Sequence, residues 1–151
     1  REEMRHFLGD SQARIVVADP ASLPMLEDLR RDLPELREIV AIGDVANASR
    51  ARPRHVERAA DEACLMLYSS GTTGVPKGIV HTAANLGSSL RALERCWRVT
   101  PDDAVLHVLP IFHIHGLSFA AQMPLLAGAR LVLEDGFHPQ GFLDAASRST
   151  I

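Results

Sequence analysis

Residues 68–78 read Tyr68-Ser69-Ser70-Gly71-Thr72-Thr73-Gly74-Val75-Pro76-Lys77-Gly78, with five hydroxyls, three glycines and one lysine in eleven positions. Glycine lets the backbone take a positive φ and approach a ligand with no Cβ in the way. Ser and Thr hydroxyls, with free backbone N–H groups, make a dense set of donors for anionic oxygens. Lys77 adds a point positive charge. That inventory suits a triphosphate. An apolar run, Ala63-Cys64-Leu65-Met66-Leu67-Tyr68, leads into it, which a flexible Ser/Gly linker would not have. The loop is not the G-x-x-x-x-G-K-[ST] pattern of nucleotide hydrolases, because Pro76 precedes Lys77 and Gly78 follows it.

A second candidate stretch follows, Leu109-Pro110-Ile111-Phe112-His113-Ile114-His115-Gly116-Leu117. The two segments together resemble the adenylate-forming superfamily of acyl-CoA synthetases, peptide-synthetase adenylation domains and luciferases. Ser69 to Gly78 fits that superfamily's [ST]-[ST]-G-[ST]-T-G-x-P-K-G at every fixed position. The aromatic-histidine segment then comes in the expected order and spacing. Phe112 with His113 looks like the acyl- and aryl-CoA ligases. Adenylation domains that load a carrier protein more often have Asp where this chain has His113. A non-catalytic remnant that keeps only phosphate binding is the alternative from another class.

The resemblance implies two half-reactions. A carboxylate attacks the α-phosphorus of ATP to give an acyl-adenylate, and a thiol, coenzyme A, then takes the acyl group. Ser69, Ser70, Gly71, Thr72, Thr73, Gly74 and Lys77 would grip the β and γ phosphates, with Thr72 or Thr73 touching Mg²⁺. Lys77 would be a charge clamp rather than a proton carrier. His113 would be the catalytic residue beside the reacting carboxylate, to which an imidazole can donate a hydrogen bond. Phe112, Ile114, His115 and Gly116 would line the acyl pocket. A second histidine, His115, resembles malonyl-CoA synthetases, whose substrate carries an extra carboxylate. Ile111, Phe112, Ile114, Leu117 and Phe119 equally suit a fatty-acid tunnel.

Two readings weigh less. His107, His113 and His115 invite a metal, but no Cys, Asp or Glu nearby completes a ligand set. Arg130 could meet an acyl carboxylate but reads rather as a solvated strand-end residue, and His6, His55 and His138 have no recognisable context. There is one departure from the family pattern. Ala83 stands where G-[VI]-x-x-[ST]-H-x-N has histidine, while Thr82 and Asn85 fit. His81 would point to a different helix face.

The elements that must position these residues alternate. Helices are expected over 2–8 (capped by Gly9), 20–33, 79–98, 115–127 (kinked at Pro124) and 139–147. Strands are expected over 13–18, 38–42 (closed by Gly43-Asp44), 63–68, 104–109 and 129–133, with a loop over 46–62 that allows one helical turn. Leu86, Leu90, Leu93 and Trp97 form one apolar stripe, read as core. Alternation of this kind predicts an α/β fold with a mostly parallel sheet. The phosphate loop would follow a strand and precede a helix. Both loops would lie at the carboxyl ends of strands and converge on one crevice.

Composition bounds the partners. The chain has 151 residues, 46% hydrophobic and 23% charged, with net charge −3. No basic run offers a footprint for nucleic acid, and no apolar stretch is long enough to span a bilayer. Cys64 and Cys96 lack a C-x-x-C spacing, which reads as a reducing, cytoplasmic compartment. The expected partners are a small carboxylate, ATP and coenzyme A. The superfamily's later segments (Tyr-Gly-x-Thr-Glu, the ribose Asp, the late lysine) are absent. The resemblance thus implies part of the large N-terminal domain, with 1–62 upstream and 63–151 carrying the two motifs. The remainder and the small lid domain would lie outside it, so the chain alone is expected to be inactive and to leave an apolar face exposed.

Overall fold

Residues 1–47, 56–70 and 74–148 are described in the structure, a computed structural model. They group into two units, Arg1–Arg58 with Tyr68–Ile79 and Ala59–Leu67 with Val80–Ile151. Expectations that fall on residues 48–55, His55 among them, lie outside the described residues.

The first unit opens with helix α1 (Glu2–Asp10). The expected stop at Gly9 does not occur. Ser11 and Ala13 return their N–H groups to the Phe7 and Leu8 carbonyls at 3.0 and 3.1 Å, and the left-handed residue is Gln12, φ 51°. Gly9 sits against Leu33, whose Cδ2 would lie 3.6 Å from an added Cβ. Strand β1 (Ile15–Ala18) pairs in parallel with β2 (Glu38–Ala41), Ile15 opposite Glu38 and Ala18 opposite Ala41. A parallel pair needs a crossover. It begins as a 3₁₀ turn (Pro20–Ser22), capped by the Asp19 carboxylate, and continues as α2 (Leu23–Arg30). Leu26 and Leu29 are 1% and 0% exposed, and each such burial contributes about 2 kcal/mol. Leu29, Leu33 and Leu36 form the core, with Met4 and Leu8 of α1 and Val16 and Ile39 of the strands packed on it. β1 is not buried on both faces, since Ile15 and Val17 are 59% and 52% exposed. The turn expected at Gly43-Asp44 is the start of α3 (Ile42–Asn47). Asp44 falls in its first turn, where the helix dipole favours a carboxylate.

Strands β3 (Ala63–Ser69) and β4 (Lys77–Thr82) are hydrogen-bonded neighbours. Residues 68–69 and 77–79 belong to the first unit, 63–67 and 80–82 to the second. β4 corrects the expected helix over 79–98. The β-branched Ile79, Val80 and Thr82 extend beside β3, and the helix begins only after them as α4 (Ala83–Trp97). Thr82 is its N-cap, accepting the Asn85 N–H on Oγ1 at 3.2 Å. The phosphate loop therefore joins two paired strands instead of a strand and a helix. His81 lies on β4, not on a helix face, and Ala83 is the first helical residue.

In the second unit β5 (Ala104–His107) pairs in parallel with β6 (Arg130–Leu133), Ala104 opposite Arg130 and His107 opposite Leu133. The crossover between them is a π-wound segment, His115–Gln122, running into α5 (Met123–Ala127). The irregularity lies upstream of Pro124, which sits in the first turn of α5, where its missing N–H costs nothing. Gly128, φ 77°, ends α5 in the left-handed conformation. α4 packs on this crossover, burying Leu90 and half-burying Leu86 and Leu93. Trp97 departs from the expected core stripe. It is the last helical residue, ahead of left-handed Arg98, and is 52% exposed. α6 (Pro139–Arg148) completes the unit. No helix among the described residues is long and apolar enough to cross a membrane.

Candidate active site

The phosphate-loop residues are carried on the facing ends of β3 and β4. Ser69 ends β3, Ser70 follows it, and both are exposed. Gly74 has φ 83° with nothing within 4 Å of where a Cβ would sit, so conformation alone demands glycine there. Lys77 opens β4 with its side chain exposed, and among the described residues no carboxylate pairs with it. Gly71, Thr72 and Thr73 lie outside the described residues, and with them the assignment of a threonine to Mg²⁺.

Both stems of the loop rest on α1, a contact that sequence reading missed. Tyr68 Oη donates to Asp10 Oδ2 at 2.8 Å and to the Phe7 carbonyl at 3.3 Å, and its ring lies 4.5 Å from that of Phe7. His6 Nε2 donates to the Pro76 carbonyl at 2.9 Å, so that nitrogen carries the proton. Burial, followed by the hydrogen bond to Asp10 and that carboxylate's charge, pushes the Tyr68 phenol up from 10.0 to about 12. Tyr68 is the single tyrosine, so an alkaline absorbance titration reads it alone. The phenolate band is expected to stay absent at pH 10 and to rise only near 12. A folded chain that ionises at pH 10 would contradict the contact. The folded state favours the neutral phenol, so this stabilisation is complete below pH 10 and is lost as pH rises through about 12.

The second motif turns sharply after β5. The Leu109 N–H donates to His107 Nδ1 at 3.1 Å, which leaves the proton on Nε2. Pro110 accepts the His113 N–H at 3.3 Å, and His113 accepts the Leu117 N–H at 2.9 Å. Gly116 is buried so tightly that an added Cβ would lie 2.1 Å from the Pro110 carbonyl oxygen. Phe112 and His113, between the two closely approaching residues, are both exposed. Phe112 is 72% exposed and its ring lies 4.6 Å from that of exposed His113. His115 is also exposed, its ring edge-on to Phe119 at 5.2 Å, while Ile114 is half-buried. A cavity of about 680 Å³ lies between residues 107–112 and 133–137. Phe112 and Ile111 line it; Ile114, His115 and Gly116 lie outside its lining. Arg130 is exposed on β6, as a strand-end arginine should be. No group of three or more His, Cys, Asp or Glu that could hold a metal occurs among the described residues. The phosphate loop belongs to the first unit and the Phe112–His113 turn to the second.

A profile of the AMP-binding enzyme family matches residues 1–150. The chain belongs to the AMP-binding enzyme family. Human mitochondrial malonate–CoA ligase ACSF3 is 35% identical over 141 residues, covering 91% of this AMP-binding chain and 24% of that protein. The 4-hydroxybenzoate–CoA/benzoate–CoA ligase of Rhodopseudomonas palustris is 34% identical over 142 residues, covering 87% and 26%. The ATP-bound crystal structure of MatB from R. palustris superposes with a TM-score of 0.88 at 31% identity, covering 99% of this chain and 31% of that one. The chain thus spans about a quarter of these curated relatives and about a third of that structure. Its mixed α/β architecture with parallel strand pairs matches the fold of MatB-type adenylate-forming enzymes.

Proposed function

We propose that this chain supplies the phosphate-binding and carboxylate-activating part of an acid–thiol ligase. The observation that carries the reading is the loop between β3 and β4. It has exposed Ser69 and Ser70 on one stem, left-handed Gly74 at its far end, and on the other Lys77, which pairs with no carboxylate among the described residues. Donors arranged without a competing anion are what the spreading charge of a triphosphate needs. In the first step a carboxylate oxygen bonds to the α-phosphorus of ATP, the bond to the bridging oxygen breaks, and pyrophosphate leaves. The thiol sulfur of coenzyme A then bonds to the acyl carbon and AMP departs. On this reading His113 donates to a carboxylate oxygen; its exposure beside Phe112 supports that role.

Mg²⁺ fits this donor set as a metal carried mainly on the nucleotide phosphates. Such an ion keeps several waters and takes only one or two protein oxygens, for which Ser and Thr hydroxyls suffice. When bound it neutralises phosphate charge. Residues 1–151 form part of the large N-terminal domain on this reading, 1–62 upstream and 63–151 bearing both motifs. The acid is a fatty acid or a malonate-type dicarboxylate; the malonate–CoA ligases among the relatives favour the latter. Exposed, free Cys64 and Cys96 favour a reducing compartment such as the cytoplasm.

The test is ATP–pyrophosphate exchange by the protein as its gene encodes it, with malonate, benzoate and fatty acids supplied in turn. Exchange is expected only when an acid is present. Lys77→Ala should lower kcat/KM for ATP about tenfold, the scale of one charge-assisted hydrogen bond. Absence of exchange with every acid, or an unaltered Lys77→Ala enzyme, would sink the reading.

A further inference from the structure

The geometry points to α1 as a strut that holds both stems of the phosphate loop, with His6 a positioning residue for nucleotide binding. The inference rests on the nucleotide reading above. His6 and Asp10 are one helical turn apart on α1 and reach opposite stems, Pro76 and Tyr68. The His6 ring also meets the Tyr68 ring nearly edge-on at 6.0 Å, so the three groups form one contact. Pro76 has no N–H of its own, which leaves its carbonyl as the backbone group that can be tied, and His6 ties it at 2.9 Å.

The helix is itself anchored. Met4 and Leu8 pack on the Leu29–Leu33–Leu36 core, Arg5 pairs with Asp32 at 2.8 Å, and Arg1 pairs with Asp28. A strut fixed to a core can fix what it touches. Restricting both ends of a loop before ligand arrives removes part of the ordering cost of binding, so the gain appears as affinity for the nucleotide and not as rate. Sequence gives no sign of this, because His6 and Pro76 are 70 positions apart.

The experiment compares His6→Ala, His6→Gln and the unsubstituted protein, each expressed at its gene's full extent. ATP Kd by calorimetry, KM for ATP and for the acid, and thermal midpoint are measured for each. His6→Ala is expected to weaken ATP binding about fivefold, the scale of one net hydrogen bond, with kcat and the acid's KM unchanged. His6→Gln, which keeps an N–H donor, should recover much of the loss. A merely structural role would instead lower the thermal midpoint and affect both substrates alike, and that result overturns the inference. Unchanged ATP affinity in His6→Ala overturns it too, while leaving the nucleotide reading intact. No ATP binding by the unsubstituted protein would refute that reading and the strut with it.

Discussion

Gly116→Ala is expected to destabilise the chain by about 3 kcal/mol, the scale of an overpacked core site with no room to relax. The added methyl would lie 2.1 Å from the Pro110 oxygen and 2.8 Å from its carbonyl carbon. Both are backbone atoms, so no rotamer change removes the clash. Pro110 is held in place by accepting the His113 N–H, and Gly116 by being the second residue of the π-wound segment. Either the turn opens or the segment slides, and each breaks the arrangement that presents Phe112 and His113. Urea unfolding measures the effect. A shift smaller than about 0.5 kcal/mol would mean the close approach is not a real constraint.

His113→Ala should slow carboxylate-dependent adenylate formation about a hundredfold while leaving KM for ATP near its starting value. That is the scale for removing one positioned donor from a reacting group. The asymmetry follows from placement. His113 stands on the turn after β5, whereas Ser69 and Lys77, proposed to meet the triphosphate, stand on β3 and β4. Retention of the Phe112 ring next to the substitution keeps the apolar wall, so the loss reports the imidazole. Single-turnover adenylate formation at saturating ATP separates the step from thiolysis. A rate within twofold of the unsubstituted enzyme would remove His113 from the chemistry.

Much of the scaffold could be read from residues alone. The β-branched run before Asp19, the apolar run into Tyr68 and the strand ahead of Leu109 each carry a local signal strong enough to name their state. Where reading failed, two signals overlapped. Ile79-Val80 adjoins the helix pattern of Leu86 and Leu90, so strand and helix merged into one expected helix. Only pairing with β3 and the Thr82 cap divide them. Gly9 reads as a cap because glycine often is one, yet the helix runs on to Asp10 and Gln12 takes the left-handed conformation. The proposal for the loop residues rests on their composition, the Ser, Thr, Gly and Lys inventory of residues 69–78. The hold of His6 and Asp10 on that loop was not legible, since it depends on which distant segments fold together.

The π winding of residues 115–122 has a consequence for how this crossover can change over time. Its ring closes between the Met123 N–H and the Ser118 carbonyl, one residue wider than an α turn. Deleting a single residue there is the smallest edit that restores ordinary winding. It would swing His115 and Phe119 around the axis relative to Met123 and Pro124, while β5 and β6 kept their register. The segment is a one-residue adjuster: descendants could re-aim these side chains by losing a codon, without rebuilding the sheet beneath.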